Sequence, residues 1–468
     1  MTHADIAARS IPASIAGRQA SLARRLATAA APALLAPAAL VVFALAAPQA
    51  PRVALALHLG ASSAAGHGFA LGWLGALALY AADAAAGYAG AVALGARALY
   101  ALAYLVYLRA RERSGVVLSL CAALFALVTC FDAARVGGVA PAWLGAAVLL
   151  YVLDRAPRRG MWFAPLVAIV WCNASPTGLL APVLTVLVAL GRAADARDVT
   201  AARPYWPVAF ASLAATLLTP AGLGFPAQAL AALHLDLQFA RLLPIAPATA
   251  APHVFRIAAT LVVIGAMWLW SGRRRAADAP LVLAALFLCF YDGAFVPLLG
   301  IVAAPAFAAA ARNRYEATLA PGRADALAAC LAGACVVAGA LIAVPHAPTR
   351  SFGDASARAL LESLPAGGTA HVVFCATIAS CDYAETLPGM RPLLDERVEI
   401  APAGTLDAQE KIARARAGWP ATVREQHVDA MLVPRSIALA QLVPSLTGWK
   451  LAASDADTRL FVREGAAR

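Results

Sequence analysis

The run GYAGAVALGARALYALAYLVYL, from Gly87 to Leu108, decides how the rest of the chain reads. It holds one charge, Arg97, and three arginines follow at once: Arg109, Arg111 and Arg113. About 20 mostly apolar residues cross a ~30 Å hydrocarbon core as a helix, and Lys and Arg collect in cytoplasmic loops. The run therefore reads as a membrane span whose end at Arg109 is cytoplasmic. Whole-chain composition agrees: the 468 residues are 62% hydrophobic and 13% charged, with mean hydropathy +0.73. An ordinary soluble domain carries about 25% charge. These values exclude a cytosolic enzyme, a disordered chain and a nucleic-acid binder that relies on a basic surface. The net charge of +11 reports where the loops lie before it reports any acidic partner.

Working outward, Ala29 to Ala47 reads as a retained first helix behind a cytoplasmic arm, residues 1–28, with Arg9, Arg18, Arg24 and Arg25. No convincing small-residue cleavage site follows it. Further spans are expected at Val116 to Phe131, Val139 to Leu153, Met161 to Asn173, Pro176 to Leu190 and Tyr205 to Thr219. Others are Val254 to Trp270, Pro280 to Tyr291, Ala294 to Ala311 and Ala324 to Val344. The basic clusters at 109–113, 155–159, 192–203, 273–275 and 312–323 then fall in alternate loops, all on one side. Counting Phe69 to Ala82 as a span would move the first cluster across and invert everything after it. That segment is therefore predicted to lie along the outer leaflet as a juxtamembrane helix, within an outer stretch covering residues 48–86. The expected architecture is a polytopic α-helical membrane protein of about 11 spans over residues 29–344, since each needs roughly 20 residues.

After Val344 the composition becomes that of a soluble domain, residues 345–468. Thr369 to Cys375, Arg391 to Leu394, Ala430 to Val433 and Arg459 to Val462 are predicted strands. Asp354 to Leu364, Leu406 to Arg416 and Ile437 to Leu446 carry helical spacing, with Asp354 as a candidate N-cap. Alternating strands and helices predict a small α/β domain, on the extracytoplasmic side by span parity. Its Cys375 and Cys381 are a candidate disulfide if that side is oxidising. No second Cys or His pair stands at ligand spacing, so no metal site is expected, and no cofactor is evident.

Charged groups inside a membrane are costly and often functional. Arg97 lies well inside its apolar run and is expected to pair with an acid or with a ligand phosphate. The remaining outer-facing polar residues include His58, Asp83, Asp132, Asn173 and Asp236; a single acid at a span end is more often a loop group or N-cap than a catalyst. The spans hold almost no carboxylates, which disfavours an ion-coupled permease. No phosphate-binding glycine loop or soluble-type nucleophile motif stands in a fitting context.

The order of several short motifs resembles the GT-C glycosyltransferase superfamily, the polyprenyl-phosphate-sugar-dependent type found in bacterial inner membranes. They are His58-Leu59, Trp171-Cys172-Asn173, Thr219-Pro220-Ala221-Gly222, Asp395-Glu396-Arg397 and Gly448-Trp449. The resemblance implies transfer of a sugar from a polyprenyl-phosphate lipid to an extracytoplasmic acceptor. Asp83 would be the catalytic base, with Arg97, His58, Asp132, Trp171, Asn173 and Asp236 as substrate-binding residues. Implied partners are the lipid-linked sugar and membrane lipids, and no nucleic acid. The chain departs from the pattern in lacking an acid before His58 and in carrying Ser175 where a histidine is expected. The alternative implied by those departures is an inactive relative that binds a lipid-linked glycan or acts as a scaffold.

Overall fold

The structure, a computed structural model, describes residues 35–39, 52–65, 69, 71–130, 139–155, 160–232, 276–291, 295–318, 355–364, 371–394, 401–402 and 404–464. The expected spans Val254 to Trp270 and Ala324 to Val344, most of Ala29 to Ala47, and the candidate residues Asp132, Asp236, Asp354 and Asp395 to Arg397 lie outside these.

The described residues of the first part are helical, and ten of the helices are named here. Helices α1 (Arg52–Ala64) and α2 (Trp73–Ala86) pack on each other. The chain then reverses at Gly87, whose φ of 64° suits glycine and whose amide donates to the Asp83 carbonyl at 2.6 Å. Helix α3 (Tyr88–Arg111) runs 24 residues, ~36 Å at 1.5 Å per residue. It packs on α4 (Val116–Thr129), α5 (Val139–Arg155) and α10 (Val296–Thr318). Helices α6 (Ala164–Ala174), α7 (Leu180–Ala196), α8 (Tyr205–Thr216) and α9 (Ala279–Tyr291) complete the set. Alanine-rich faces let the helices approach closely: a Cβ on Gly145 of α5 would stand 2.4 Å from Cγ of Trp171.

The ends of these helices sort by charge. Arg109 and Arg113 at the end of α3, Asp154 at the end of α5, Arg192 at the end of α7 and Asp278 just before α9 are joined by ion pairs of 2.8–3.4 Å. Arg312 near the end of α10 reaches the carbonyl of Arg113 at 3.5 Å. The described members of four of the clusters expected in alternate loops, Arg109 to Arg113, Arg155, Arg192 and Arg312, thus meet at one end of the bundle, here called the arginine end, while residues 273–275 lie outside the described residues. Since α3 finishes there, its start at Tyr88 lies at the far end. Helix α2 begins beside Ala174, at the far end of α6, and turns at Gly87 straight into α3. Both its ends are at the far end, so α2 lies across the bundle instead of running its length.

Among the described residues, two helices are long and apolar enough to cross a membrane, Tyr88–Arg111 and the continuous Pro176–Ala196. Trp73–Ala86, Val116–Thr129, Met161–Ala174, Ala279–Cys289 and Val296–Arg312 are apolar but shorter. Eleven full-length spans are more than the described residues contain. A 14-residue helix such as α4 reaches only ~21 Å.

The C-terminal part is a five-stranded mixed sheet in the order β2-β1-β3-β5-β4. Its strands are β1 (His371–Cys375), β2 (Met390–Pro392), β3 (Ala430–Pro434), β4 (Trp449–Ser454) and β5 (Thr458–Arg463). The first three pair in parallel, while β5 is antiparallel to β3 and β4. Alternation along each strand makes two cores. Val373, Cys375, Leu432 and Leu460 face α11 (Ala355–Glu362) and α12 (Ile378–Glu385). Phe374, Met431, Val433 and Phe461 face α13 (Thr405–Ala413), α14 (Trp419–Glu425) and the short α15 (Leu439–Leu442). Burial on both faces is what parallel pairing requires. The four expected strands are present; β4, α12 and α14 are additions. Helix α12 also packs on α1, which seats the sheet domain against the helical part.

The candidate disulfide is corrected. Cys375 and Cys381 are free and fully buried, and the Cys381 thiol donates to the Cys375 carbonyl at 3.6 Å. Burial, reinforced by the neighbouring Cys375, pushes the Cys381 thiol well above its ordinary range.

Candidate functional site

The far end of the bundle is held by neutral hydrogen bonds. Helix α6 presents Trp171 to the core beneath Gly145, and its indole N–H donates to Thr177 Oγ1 at 3.0 Å. Two residues on, Asn173 uses its whole amide. Its Oδ1 accepts from Trp73 Nε1 at 2.8 Å, and its Nδ2 donates to the carbonyls of Ile169 at 2.9 Å and Leu218 at 3.0 Å. One side chain therefore ties the start of α2 to the end of α6 and to the turn after α8. The contact is possible because α2 begins with glycines: a Cβ on Gly75 would lie 2.8 Å from the Ala174 carbonyl oxygen.

Around this clip Phe69, Trp73, Cys172, Asn173, Thr219 and Phe225 line a cavity of about 20 Å³, one water in size. Three stretches far apart in sequence meet here: residues 69–73, Trp171-Cys172-Asn173 and Thr219-Pro220-Ala221. The Thr219 hydroxyl is buried without a hydrogen-bond partner among the described residues. Trp171 and Asn173, expected to bind substrate, are buried with their polar atoms taken up by the protein. Asn173 bears on the placement of α2 through Trp73, and Trp171 on the turn after α6 through Thr177.

Asp83 sits in the last turn of α2 and is half-buried. One carboxylate oxygen, Oδ1, is buried with no hydrogen-bond partner among the described residues. Arg97 departs from expectation. Although it lies in the middle of α3, its side chain is exposed and has no acid partner among the described residues. The reason is periodicity: Leu99, Leu102, Ala103 and Val106 take the buried face of α3 and leave Arg97 on the outer one. His58, on α1, is likewise exposed. The structure brings no direct contact between Asp83, Arg97 and His58. Among the described residues no three His, Cys, Asp or Glu side chains form a metal-ligand group.

Sequence reasoning missed the carboxylates of the arginine end. Asp154 receives Arg109 Nε at 2.9 Å, Arg113 Nη2 at 3.3 Å and Arg192 Nη2 at 3.4 Å. Asp278 takes both its contacts from Arg113 Nη1, at 2.8 and 3.1 Å. Arg109 is only 3% exposed and also donates to the Ile301 carbonyl at 3.1 Å. The signal that could have found Asp154 is its position: a lone acid closing an apolar helix immediately before a basic cluster.

No protein-family model matches the chain, and no curated protein does. Solved structures do. The oligosaccharyltransferase of Archaeoglobus fulgidus, in a crystal structure with zinc and sulfate, aligns over 86% of this chain and 68% of its own, with 12% identity and TM-score 0.53. The archaeal oligosaccharyltransferase AglB from the same organism, in complex with an inhibitory peptide and a dolichol-phosphate, aligns over 86% and 69%, with 12% identity and TM-score 0.55. The described residues supply no ligand group of the kind a zinc ion would need. The likeness is one of fold: a helical bundle with a C-terminal sheet domain, similar to these oligosaccharyltransferases.

Proposed function

We propose that the protein is a multi-pass membrane glycosyltransferase of GT-C type, moving a sugar from a polyprenyl-phosphate carrier to an acceptor at the far, extracytoplasmic end of the bundle. The observation that carries this reading is α2: a helix clipped across the far end by Asn173, holding a carboxylate with an unpartnered oxygen, in a chain with the fold of enzymes of this class. Collection of the arginine clusters at the opposite end supports the orientation, because cationic loops stay cytoplasmic.

In the reaction the acceptor oxygen attacks the anomeric carbon. The bond from that carbon to the phosphate oxygen breaks, and polyprenyl phosphate leaves with the electron pair. The Asp83 carboxylate takes the acceptor's proton as general base, a role worth about 10²–10⁴-fold in rate. Arg97, exposed on α3, has free guanidinium donors for the lipid phosphate.

The test uses membranes containing the full-length protein and polyprenyl-phosphate-linked sugars, with release of free polyprenyl phosphate as readout. Asp83→Asn should lower release by about 10²-fold or more, and Arg97→Ala should raise the apparent KM. Release unchanged by both substitutions overturns the catalytic assignment.

The second reading, an inactive lipid-glycan binder, is favoured by one observation: Asp83 is the only acidic residue between Asp5 and Glu112. Binding of the lipid-linked sugar without turnover would establish it.

A further inference from the structure

At the arginine end, the last turn of α7, the first of α8 and the segment between them enclose an open cleft of about 550 Å³. Its walls include Asp154, Arg192, Asp195, Ala201, Pro204 and Tyr205. Two of these charged groups reach solvent, and they are opposite in sign. The Arg192 side chain is 36% exposed, and Asp195 is exposed one helical turn further on. Residues three apart on a helix are neighbours. Each is only partly engaged. Arg192 reaches Asp154 through Nη2 alone, at 3.4 Å to the carboxylate, while Arg109 and Arg113 already hold that acid. Asp195 accepts one backbone amide, that of Ala277, on Oδ1 at 2.9 Å. Among the described residues the cleft thus offers guanidinium donors without a partner beside a carboxylate oxygen without one.

An apolar track starts at this cleft. Trp206, Phe210, Leu213 and Leu217 follow at steps of four, three and four residues along α8, which puts them on one face. They are 40, 68, 48 and 36% exposed, while Tyr205, Val208, Ser212 and Ala215 of the same helix turn into the bundle. From Trp206 to Leu217 the rise is ~16 Å, close to half of a ~30 Å hydrocarbon core and hence to one leaflet. An aromatic ring stands at the polar end of the track, as at membrane interfaces.

We propose that this cleft and track form a site for one zwitterionic aminophospholipid of the phosphatidylethanolamine type. Its phosphate rests on Arg192, its ammonium on Asp195 and one acyl chain along Trp206, Phe210 and Leu213. The paired charges select the headgroup. A purely anionic headgroup meets Asp195 and Asp154 as like charges, and a choline headgroup has no N–H to donate to Asp195. This proposal rests on the membrane reading above, and the experiment separates the two.

Full-length protein is first floated with liposomes, then purified in mild detergent with equimolar phosphatidylethanolamine, phosphatidylcholine and phosphatidylglycerol. Retained lipid is counted by native mass spectrometry. Phosphatidylethanolamine should be retained about tenfold over the other two, a preference equal to ~1.4 kcal/mol. Asp195→Asn should erase the preference over phosphatidylcholine, and Phe210→Ser, independently, should lower retention of the lipid. Protein that fails to float overturns the membrane reading. Protein that floats but retains the three lipids equally, prefers phosphatidylglycerol, or keeps its selectivity in both variants overturns the lipid site alone.

Discussion

The two ends of the helical bundle are built from different interactions. At the arginine end three guanidinium groups converge on Asp154 and Arg113 also holds Asp278, so the charges are nearly balanced within the protein. At the far end the ties are neutral, from Trp73 to Asn173 and Trp171 to Thr177, and two oxygens, Asp83 Oδ1 and Thr219 Oγ1, are buried with no partner among the described residues. A buried polar atom without a partner costs about 1–3 kcal/mol. The arginine end spends its polar groups on holding helices together, whereas the far end keeps some unspent. That difference is the one the proposed function uses, with its chemistry put at the far end and fold stability at the other.

Breaking the ionic end should have the largest effect. Asp154→Ala leaves Arg109 buried with no carboxylate, and removing one partner of a buried pair costs about 3–5 kcal/mol. We expect the variant to be recovered poorly and to unfold far below the parent in a thermal melt; a loss under about 1 kcal/mol, the range of an exposed pair, would show that the network does not hold the helices. At the far end the effects are smaller and come from packing. Gly145→Ala drives a methyl into Trp171 and should cost about 1–3 kcal/mol, as overpacked cores do. Gly145→Ser should cost at least as much, and a neutral result for both would mean that the indole is free to move. Asp83→Asn should go the other way. Removing a carboxylate whose oxygen lacks a partner should leave melting unchanged or raise it slightly, while glycosyl transfer is lost, the usual trade between stability and function at a strained site. Destabilisation by Asp83→Asn would assign the residue to the fold instead of the reaction.

How much of this was legible in the sequence follows from the kind of signal each part emits. The strands β1, β3 and β5 showed themselves because apolar residues fill both faces, as in His371–Cys375. Strand β4, Trp449–Ser454, is a largely exposed edge that reads WKLAAS, without regular alternation or a β-branched run, and gave no such pattern. Helix α12 was hidden by its length of eight residues and by Cys381, which suggested a covalent bond instead of a buried thiol. The grouping of arginine clusters on one side was readable from loop parity alone. The acids that neutralise them were not, because pairing Asp154 with Arg109, 45 residues away, is a tertiary fact. The exposure of Arg97 was not legible because an apolar run says nothing about which face a charge occupies until the buried face is fixed. Trp171 and Asn173 were noticed for their order, yet their hydrogen bonds to Thr177 and Trp73 give them positioning roles that no motif spelled out.

A small effect in the sheet domain sharpens the contrast between buried and exposed ion pairs. Arg358 Nε lies 3.1 Å from Glu362 on α11, and Tyr383 of α12 donates its hydroxyl to the same carboxylate at 2.5 Å. Glu362 is held below its usual range by the tyrosine hydrogen bond first and Arg358 second. Partial burial, followed by that hydrogen bond, pushes Tyr383 up to about 12. A free tyrosine ionises near pH 10, so the unfolded chain releases the Tyr383 proton first and the folded one keeps it. Stability from this group is complete below pH ~10 and is lost as pH rises toward 12, with a slope of at most one proton. Tyr383→Phe should flatten that part of the pH–stability curve and change little at pH 7, because Glu362 is open to solvent and Arg358 stays paired with it. The check is a series of thermal melts of the full-length protein between pH 8 and 12, paired with the tyrosinate absorbance. If the curve is equally steep without Tyr383, another group titrates there, and if the variant is much less stable at pH 7, this exposed cluster carries a share of the fold that only the buried arginine end is expected to carry.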